Sequence, residues 1–92
     1  MFTGIIEQLG TVKDLEREGG NLHLTVEAEM SPELKIDQSV AHNGVCLTIV
    51  AIDGKQYTVT VIQETLDKTN IGELQIGNVV NLERCMKMGA RL

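Results

Sequence analysis

The stretch VCLTIVAIDGKQYTVTVIQ, Val45 to Gln63, decides the fold class of this 92-residue chain. Its two arms, Val45–Ile52 and Lys55–Gln63, are dominated by Val, Ile, Thr and Tyr, the residue types that favour strands. Asp53-Gly54 between the arms is a strong type I′ turn signal, because both central residues of that turn need a positive φ. We therefore predict an antiparallel hairpin in the middle of the chain.

Alternation and turn signals place further strands on both sides of this hairpin. From Asn21 to Met30 polar and apolar residues alternate, which predicts a strand with one buried and one solvent-exposed face. Glu18-Gly19-Gly20-Asn21 closes a hairpin back onto a strand from Ile5 to Leu15, and a last strand, Val79 to Glu83, follows the Gly77-Asn78 turn. Six short strands at this spacing predict one all-β domain, a closed antiparallel barrel without the exposed edges of an open sheet.

Helix is confined to the connections between strands. Ser31-Pro32-Glu33-Leu34 matches an N-cap, a proline at the first helical position and a single turn. A second turn is predicted to begin with Thr65 as its cap and to stop by Asn70 or Gly72. The end of the chain, Arg84 to Leu92, is expected to form a short helix or a tail.

The charge balance restricts the class of ligand. The chain has 8 Lys and Arg against 13 Asp and Glu, a formal net charge of −5, and its basic residues are scattered singly. This distribution argues against nucleic acid and against a ligand held mainly through phosphates. The start, MFTGIIEQLG, lacks the basic region of a signal peptide, and the longest later apolar run is interrupted by Thr48. We expect a soluble, cytoplasmic protein with no membrane partner.

The cysteines and histidines give no metal pattern. Cys46 and Cys85 are 39 positions apart, without Cys-x-x-Cys spacing or the density of a disulfide framework, so we expect free thiols. Adding His23 and His42 gives four possible ligands with no metal-site spacing, and no metal is expected. His23 falls on the polar face of its strand, which is typical of an exposed histidine without a ligand role.

Two segments carry polar groups that could form a site. SVAHNGVCLTI, Ser39 to Ile49, places polar side chains among residues that demand burial, so these groups need hydrogen bonds from the protein or from a ligand. Cys46 and Thr48 share one side of the strand, where they can face a ligand or serve only as a buried thiol and a backbone-bonded threonine. Gln63-Glu64-Thr65 leaves the same choice between ligand contacts and a helix start.

Three segments together resemble riboflavin synthase: MFTGIIE at 1–7, SVAHNGVCLT at 39–48 and QETLDKTNIGEL at 63–74. They occur in the family's order and spacing and match the first of the two homologous barrels that the enzyme carries in tandem. The resemblance implies a six-stranded Greek-key barrel and identifies residues 1–92 as a single lumazine-binding domain whose second repeat is absent. It also implies a dismutation without metal or cofactor. One 6,7-dimethyl-8-ribityllumazine gives four carbons to another, leaving riboflavin and a ribitylamino-diaminouracil.

The same resemblance assigns roles to residues. Positions tied to the reaction are Phe2, Ser39, Cys46 and Thr48, and Phe2, one of only two aromatic residues, is expected against the barrel or over the site. His42 lies in the motif, but the family does not require histidine there. Glu64 is expected to hold the ribityl hydroxyls together with Thr65. The ligand-binding set is Gly4, Ile5, Ile6, Cys46, Leu47, Thr48, Thr60, Val61, Ile62, Gln63, Glu64 and Thr65.

The resemblance to riboflavin synthase also implies how the chain assembles and how much ligand it binds. In that family the reacting pair of rings is completed by a second-type barrel across a subunit contact in a homotrimer, so the resemblance implies that this half binds one ligand and turns over little. A homodimer of the half would fit an incomplete site. Two alternatives remain open. Lumazine-binding fluorescent proteins share the barrel and hold a lumazine or flavin without chemistry, and a plain barrel could use its polar strand residues structurally.

Overall fold

The computed structural model describes residues 8–85 as one closed antiparallel barrel. The strands and the helix are β1 (Gln8–Glu18), β2 (Asn21–Glu27), β3 (Ser39–His42), β4 (Val45–Asp53), β5 (Gln56–Val61), α1 (Gln63–Lys68) and β6 (Val79–Arg84). Around the barrel the strand order is β1-β2-β5-β4-β3-β6. Because β3, β4 and β5 form a meander and β6 returns beside β3, the connection is a Greek key. The predicted six-stranded barrel is confirmed.

The tight turns lie close to the predicted positions. Gly19 has φ +60° between β1 and β2, and Gly54 has φ +61° between β4 and β5. The predicted type I′ turn at Asp53-Gly54 is wrong, because Asp53 still pairs with Gln56 in the ladder and has no positive φ, so the turn residues are Gly54 and Lys55. A third turn joins β3 to β4, where Asn43 and Gly44 both have positive φ, as type I′ geometry requires. The last strand, predicted over Val79 to Glu83, extends by one residue to Arg84, so Arg84 does not begin a helix or tail.

The first helical connection begins differently from the prediction. Ser31–Glu33 is a single 3-10 turn, and its cap position is Met30 rather than Ser31. The hydroxyl of Ser31 donates instead to the carbonyl of Lys55, at 2.8 Å, in the turn between β4 and β5. A serine before a proline thus secures a contact between two loops, which local sequence does not reveal.

The second helical connection also begins earlier than predicted. Helix α1 begins at Gln63 directly after β5, with Ile62 at its cap position and no side-chain cap. Thr65 is therefore inside the helix, where its carbonyl accepts a hydrogen bond from the hydroxyl of Thr69 at 2.8 Å. A 3-10 turn, Ile71–Glu73, follows. Neither connection, nor any other helix within residues 8–85, has the length and apolarity needed to cross a membrane.

The interior of the barrel is filled by the inward-facing side chains of the strands and by a few residues from the connections. The alternation predicted from Asn21 to Met30 continues through the loop after β2, since Ala28 and Met30 are buried although the strand ends at Glu27. Burial of this apolar surface is the main stabilising contribution in a domain of this size. The buried cluster is Val12, Leu22, Leu24, Val26, Ala28, Met30, Leu34, Val40, Leu47, Ile49, Tyr57, Val59, Val61, Ile71, Val80 and Leu82.

Candidate functional site

Ser39 and Thr48 lie directly opposite each other on the outer face of the barrel. They are paired residues of β3 and β4, and Cys46 is the next outward-facing residue on β4. Thr48 and Cys46 are exposed, whereas Leu47 between them is only 5% exposed and packs in the core. The prediction that Cys46 and Thr48 share one side of the strand is confirmed, and that side faces outward.

The hydroxyls of this pair differ from those of Thr25 and Thr58. Thr25 and Thr58, which are paired across β2 and β5, hydrogen-bond to each other at 2.9 Å. Neither Ser39 nor Thr48 has a side-chain hydrogen bond to any residue in the range 8–85. Their hydroxyls are therefore open to an external partner, as binding groups need to be.

The seam between β4 and β5 is open beside this pair. The β4–β5 ladder runs from Asp53 and Gln56 to Ile49 and Val59, with a bulge near Val50, and no further pair follows. In contrast β4 stays paired to β3 as far as Val45. We call the unpaired part, residues 45–48 of β4 facing residues 60–62, the open seam.

Backbone polar groups of β4 face this open seam. Ile49 donates its N–H to the carbonyl of Gln38 and accepts from the N–H of Asp37, so its polar groups point toward the β3 side. Successive residues of a strand direct their N–H and C=O groups to opposite neighbours. The N–H and C=O groups of Cys46 and Thr48 therefore point toward β5, where the ladder has ended.

The remaining ligand-binding candidates near the seam fall into two groups. Val61 is fully buried and, like Leu47, points into the core, so only its backbone can contact a ligand on the outer face. Ile62 is 51% exposed at the end of β5. Gln63, Glu64 and Thr65 follow in the first turn of α1, where the carboxylate of Glu64 pairs with Lys68 at 2.9 Å. Along the chain these residues follow the β5 side of the seam, and the side chain of Gln63 lies beside Gly20 in the turn between β1 and β2.

The expectation of free thiols is wrong. Cys46 and Cys85 form a disulfide, with their Cα atoms 6.9 Å apart. The Greek key explains this pairing, because β3 is flanked by β4 on one side and by β6 on the other. The N–H of Cys85 donates to the carbonyl of Ser39 at 3.1 Å, so the end of β6 lies beside the candidate face. In this state Cys46 has no thiol to offer a ligand.

His42 belongs to the core rather than to the candidate face. Its Nδ1–H donates to the carbonyl of Val40 at 2.9 Å, which leaves Nε2 to accept the hydroxyl of Tyr57 at 2.7 Å. Burial lowers the pKa of His42 to about 4, and burial raises the pKa of Tyr57. His42 is therefore a neutral structural group at pH 7 and does not face a ligand.

His23 takes part in a network that the sequence interpretation missed. Its Nε2 lies 2.6 Å from a carboxylate oxygen of Glu18, and its Nδ1 lies 3.0 Å from the hydroxyl of Thr60. The imidazole is partly covered, with 26% of the side chain exposed. Thr60, a predicted ligand contact, is thus held by a residue on β2. Alternation places His23 on the outer face, but its pairing with Thr60 depends on the contact between β2 and β5.

A competing site elsewhere in the barrel would require a cluster of metal-binding side chains or a cavity. The described part of the chain, residues 8–85, contains no group of three or more His, Cys, Asp or Glu side chains arranged to hold a metal ion. A concavity of about 240 Å³ lies on the outer face of the β4–β5 hairpin, and none of the predicted ligand contacts within residues 8–85 lines it. Its lining residues are Asp14, Thr25, Ala51, Ile52, Asp53, Gln56 and Thr58. The predicted contacts Phe2, Gly4, Ile5 and Ile6 lie outside the described residues.

Sequence relatives match almost the whole chain. Riboflavin synthase of Mycobacterium bovis is 44% identical over 95 residues, which cover 100% of this chain and 47% of that protein. Riboflavin synthase of Bacillus amyloliquefaciens is 38% identical over 92 residues, which cover 99% of this chain and 43% of that protein. The chain therefore spans less than half the length of these relatives.

Solved structures show the same barrel. LumP complexed with 6,7-dimethyl-8-(1'-D-ribityl) lumazine matches with a TM-score of 0.85 and 26% identity, covering 92% of this chain and 49% of that chain. LumP complexed with riboflavin matches with a TM-score of 0.84 and 27% identity, covering 91% of this chain and 46% of that chain. The family model of the lumazine binding domain matches residues 3–85. The resemblance to riboflavin synthase is thereby confirmed, and the chain belongs to the lumazine binding domain family.

Proposed function

We propose that this chain is the first barrel of a riboflavin synthase and binds one 6,7-dimethyl-8-ribityllumazine or riboflavin at the open seam. Two comparisons support the proposal. A relative named riboflavin synthase is 44% identical across the whole chain, and LumP, with the same barrel, is solved with both ligands. Since the chain spans less than half of those enzymes, the dismutation is a property proposed for a longer protein.

The observation that carries the proposal is the open seam with the hydroxyls of Ser39 and Thr48, which have no side-chain hydrogen bond within residues 8–85. A lumazine or flavin ring is planar and uncharged, with carbonyl and N–H groups along its edge. The N–H and C=O groups of Cys46 and Thr48 would bind such an edge as they would bind the next strand of a sheet. No cluster of basic residues is needed, which agrees with the scattered Lys and Arg residues.

The role proposed for this barrel in the reaction is to hold and orient one of two substrates. Bringing two rings into reacting geometry contributes much of the rate enhancement in a bimolecular reaction. One seam accommodates one ring, so the second substrate requires a second-type barrel, which the family supplies across a subunit contact in a homotrimer. His42 is buried and neutral, so it would not remove the substrate proton. The isolated half should bind ligand with little or no turnover.

A second candidate function is a carrier of lumazine or flavin without catalysis. It is favoured by the structural match to LumP and by the disulfide, which removes the thiol of Cys46 from the candidate face. An assay of riboflavin formation by the complete gene product distinguishes the two. Sustained riboflavin formation is expected of the enzyme, and its absence together with retained binding would favour the carrier.

The proposal predicts that riboflavin stabilises the folded chain. A ligand specific to the native state adds about 2.7 kcal/mol to the free energy of unfolding when present at about 100 times its Kd. The measurement is urea unfolding with and without riboflavin, beside a fluorescence titration of the flavin. Unchanged fluorescence and unchanged stability at high micromolar riboflavin would contradict the proposal.

Two matched glutamine variants, compared in the same riboflavin titration, test whether Glu64 contacts the ligand. Glu64→Gln removes a carboxylate proposed to accept ribityl hydroxyls and should weaken riboflavin binding about tenfold, since hydrogen bonds to charged groups contribute about 1.5–3 kcal/mol. Glu29→Gln is the control, because Glu29 is an exposed carboxylate paired with Lys55 as Glu64 is paired with Lys68. Riboflavin affinity in Glu29→Gln should equal that of the parent chain.

A further inference from the structure

A chain of three hydrogen-bonded side chains ends at the open seam. Glu18 at the end of β1 bonds to His23 on β2, at 2.6 Å, and His23 bonds to Thr60 on β5, at 3.0 Å. The strand register sets this geometry, since His23 and Thr60 are paired residues of β2 and β5. Glu18 and His23 lie outside the three segments that resemble riboflavin synthase, so the family motifs assign them no role.

When the imidazole of His23 is neutral, the chemistry of the three groups sets the direction of the hydrogen bonds. An ionised carboxylate only accepts hydrogen bonds, so Nε2 of His23 carries the proton that is donated to Glu18. In the neutral imidazole, Nδ1 then has only a lone pair to offer. The hydroxyl of Thr60 must donate its single proton to Nδ1. Its oxygen is left with lone pairs and therefore presents an acceptor to any further partner.

Thr60 is placed where a ligand would meet that acceptor. Val59 pairs with Ile49 at the last pair of the β4–β5 ladder, and Thr60 is the next residue along β5. Thr48 is the residue before Ile49 on the opposite strand. Both threonines lie on the outer face, since Val59 and Ile49 are buried in the core. Thr60 and Thr48 thus flank the start of the open seam.

We propose that Glu18 and His23 are positioning residues that make Thr60 a dedicated hydrogen-bond acceptor for an uncharged donor of the bound ligand. This inference rests on the proposed function, because it assigns a ligand contact within the same site. The donor is an O–H or N–H group, either a hydroxyl of the ribityl chain or a ring N–H. A group that can only accept would meet the lone pairs of Thr60 and be disfavoured.

We call the hydrogen-bonded series Glu18, His23 and Thr60 the relay. Ligand binding by variants of the full chain tests its proposed role. Kd is measured by flavin fluorescence, in weakly alkaline buffer, for riboflavin and for lumiflavin, which has a methyl group in place of the ribityl chain. Thr60→Val and His23→Leu should each weaken riboflavin binding about three- to tenfold, the effect of losing one neutral hydrogen bond. A loss confined to riboflavin identifies a ribityl hydroxyl as the donor, and an equal loss for lumiflavin identifies a ring N–H.

A conservative variant separates positioning from a merely structural role. In His23→Asn the amide oxygen can occupy the place of Nδ1 and accept from Thr60, so riboflavin affinity should recover partly relative to His23→Leu. Thr58→Val is the matched control, because Thr58 also lies on β5 and bonds to a β2 residue, Thr25, at 2.9 Å. Its riboflavin affinity should equal that of the parent chain.

The outcomes separate this inference from the proposed function. If the parent chain binds riboflavin while Thr60→Val and His23→Leu bind it equally well, the relay is overturned and the proposed function stands. The relay is also overturned if Thr58→Val loses as much affinity as Thr60→Val. If the parent chain binds neither flavin, the proposed function fails, and the relay fails with it.

Discussion

Reducing the disulfide between Cys46 and Cys85 is expected to lower the free energy of unfolding by about 4 kcal/mol. The two residues are 39 positions apart. In the chain-entropy model, a cross-link that closes a loop of this length lowers the conformational entropy of the unfolded chain, and this raises the free energy of unfolding by about 4 kcal/mol. A small domain is stable by only about 5–15 kcal/mol, so the change should be large. Urea unfolding of the oxidised and reduced chain measures it.

The control for this experiment is the double variant Cys46→Ser with Cys85→Ser. It should unfold at the lower urea concentration of the reduced parent chain, and added reductant should not change its midpoint. The prediction fails if the oxidised and reduced parent chains unfold at the same urea concentration. It also fails if thiol titration of the native chain, purified without reductant, finds two free thiols.

Acidification from pH 7 to pH 4 is expected to cost about 3 kcal/mol of stability through His42 alone. Burial in the barrel core lowers the pKa of His42 from 6.5 to about 4. Between these values the unfolded chain takes up a proton that the folded chain does not, so stability falls as the pH drops. Above pH 6.5 both states are neutral at this residue, and its contribution is constant. Each pKa unit corresponds to about 1.4 kcal/mol.

Two measurements isolate this effect from the titration of other groups. Urea unfolding between pH 7 and pH 4 should show a steeper loss of stability in the parent chain than in His42→Gln, which cannot titrate there. Because the variant also loses its contact with Tyr57, the ring resonances of His42 provide a direct second test. They should remain those of neutral imidazole at pH 5. A midpoint near 6.5 for His42 in the folded chain would refute the assignment.

Much of the barrel could be predicted because its determinants are local. The turn between β4 and β5 needs a residue with positive φ, which Gly54 supplies, and the alternation from Asn21 onward requires one buried face. Both requirements are visible in short stretches of sequence. The outward direction of Cys46 and Thr48 follows from the same period of two. The end of β6 departs from this pattern, because Leu82 and Glu83 are adjacent and both buried.

The features that were missed depend on contacts between distant segments. The disulfide forms because the Greek key brings the end of β6 beside β3, and spacing along the chain carries no trace of that. Ser31 does not cap its turn because its hydroxyl reaches the carbonyl of Lys55. The bond between His23 and Thr60 likewise requires the register of β2 against β5, which only the folded barrel sets.

The open seam is the part of the candidate site that no sequence pattern indicated. Both arms of the hairpin from Val45 to Gln63 have strand-forming residues throughout, so the sequence predicts pairing along their whole length. In the structure the ladder ends at Ile49 and Val59, because β4 bulges near Val50 and then follows β3. Strand propensity describes how well a residue fits a sheet and does not specify which neighbour it pairs with.

Amide NMR of the chain during a riboflavin titration tests the central claim most directly. The account predicts that the largest chemical-shift changes occur at the open seam, at Cys46, Thr48 and Ile62, while Asp14 and Asp53 in the concavity of the β4–β5 hairpin remain unchanged. Saturating changes centred on that concavity, or no changes at any amide, would contradict it.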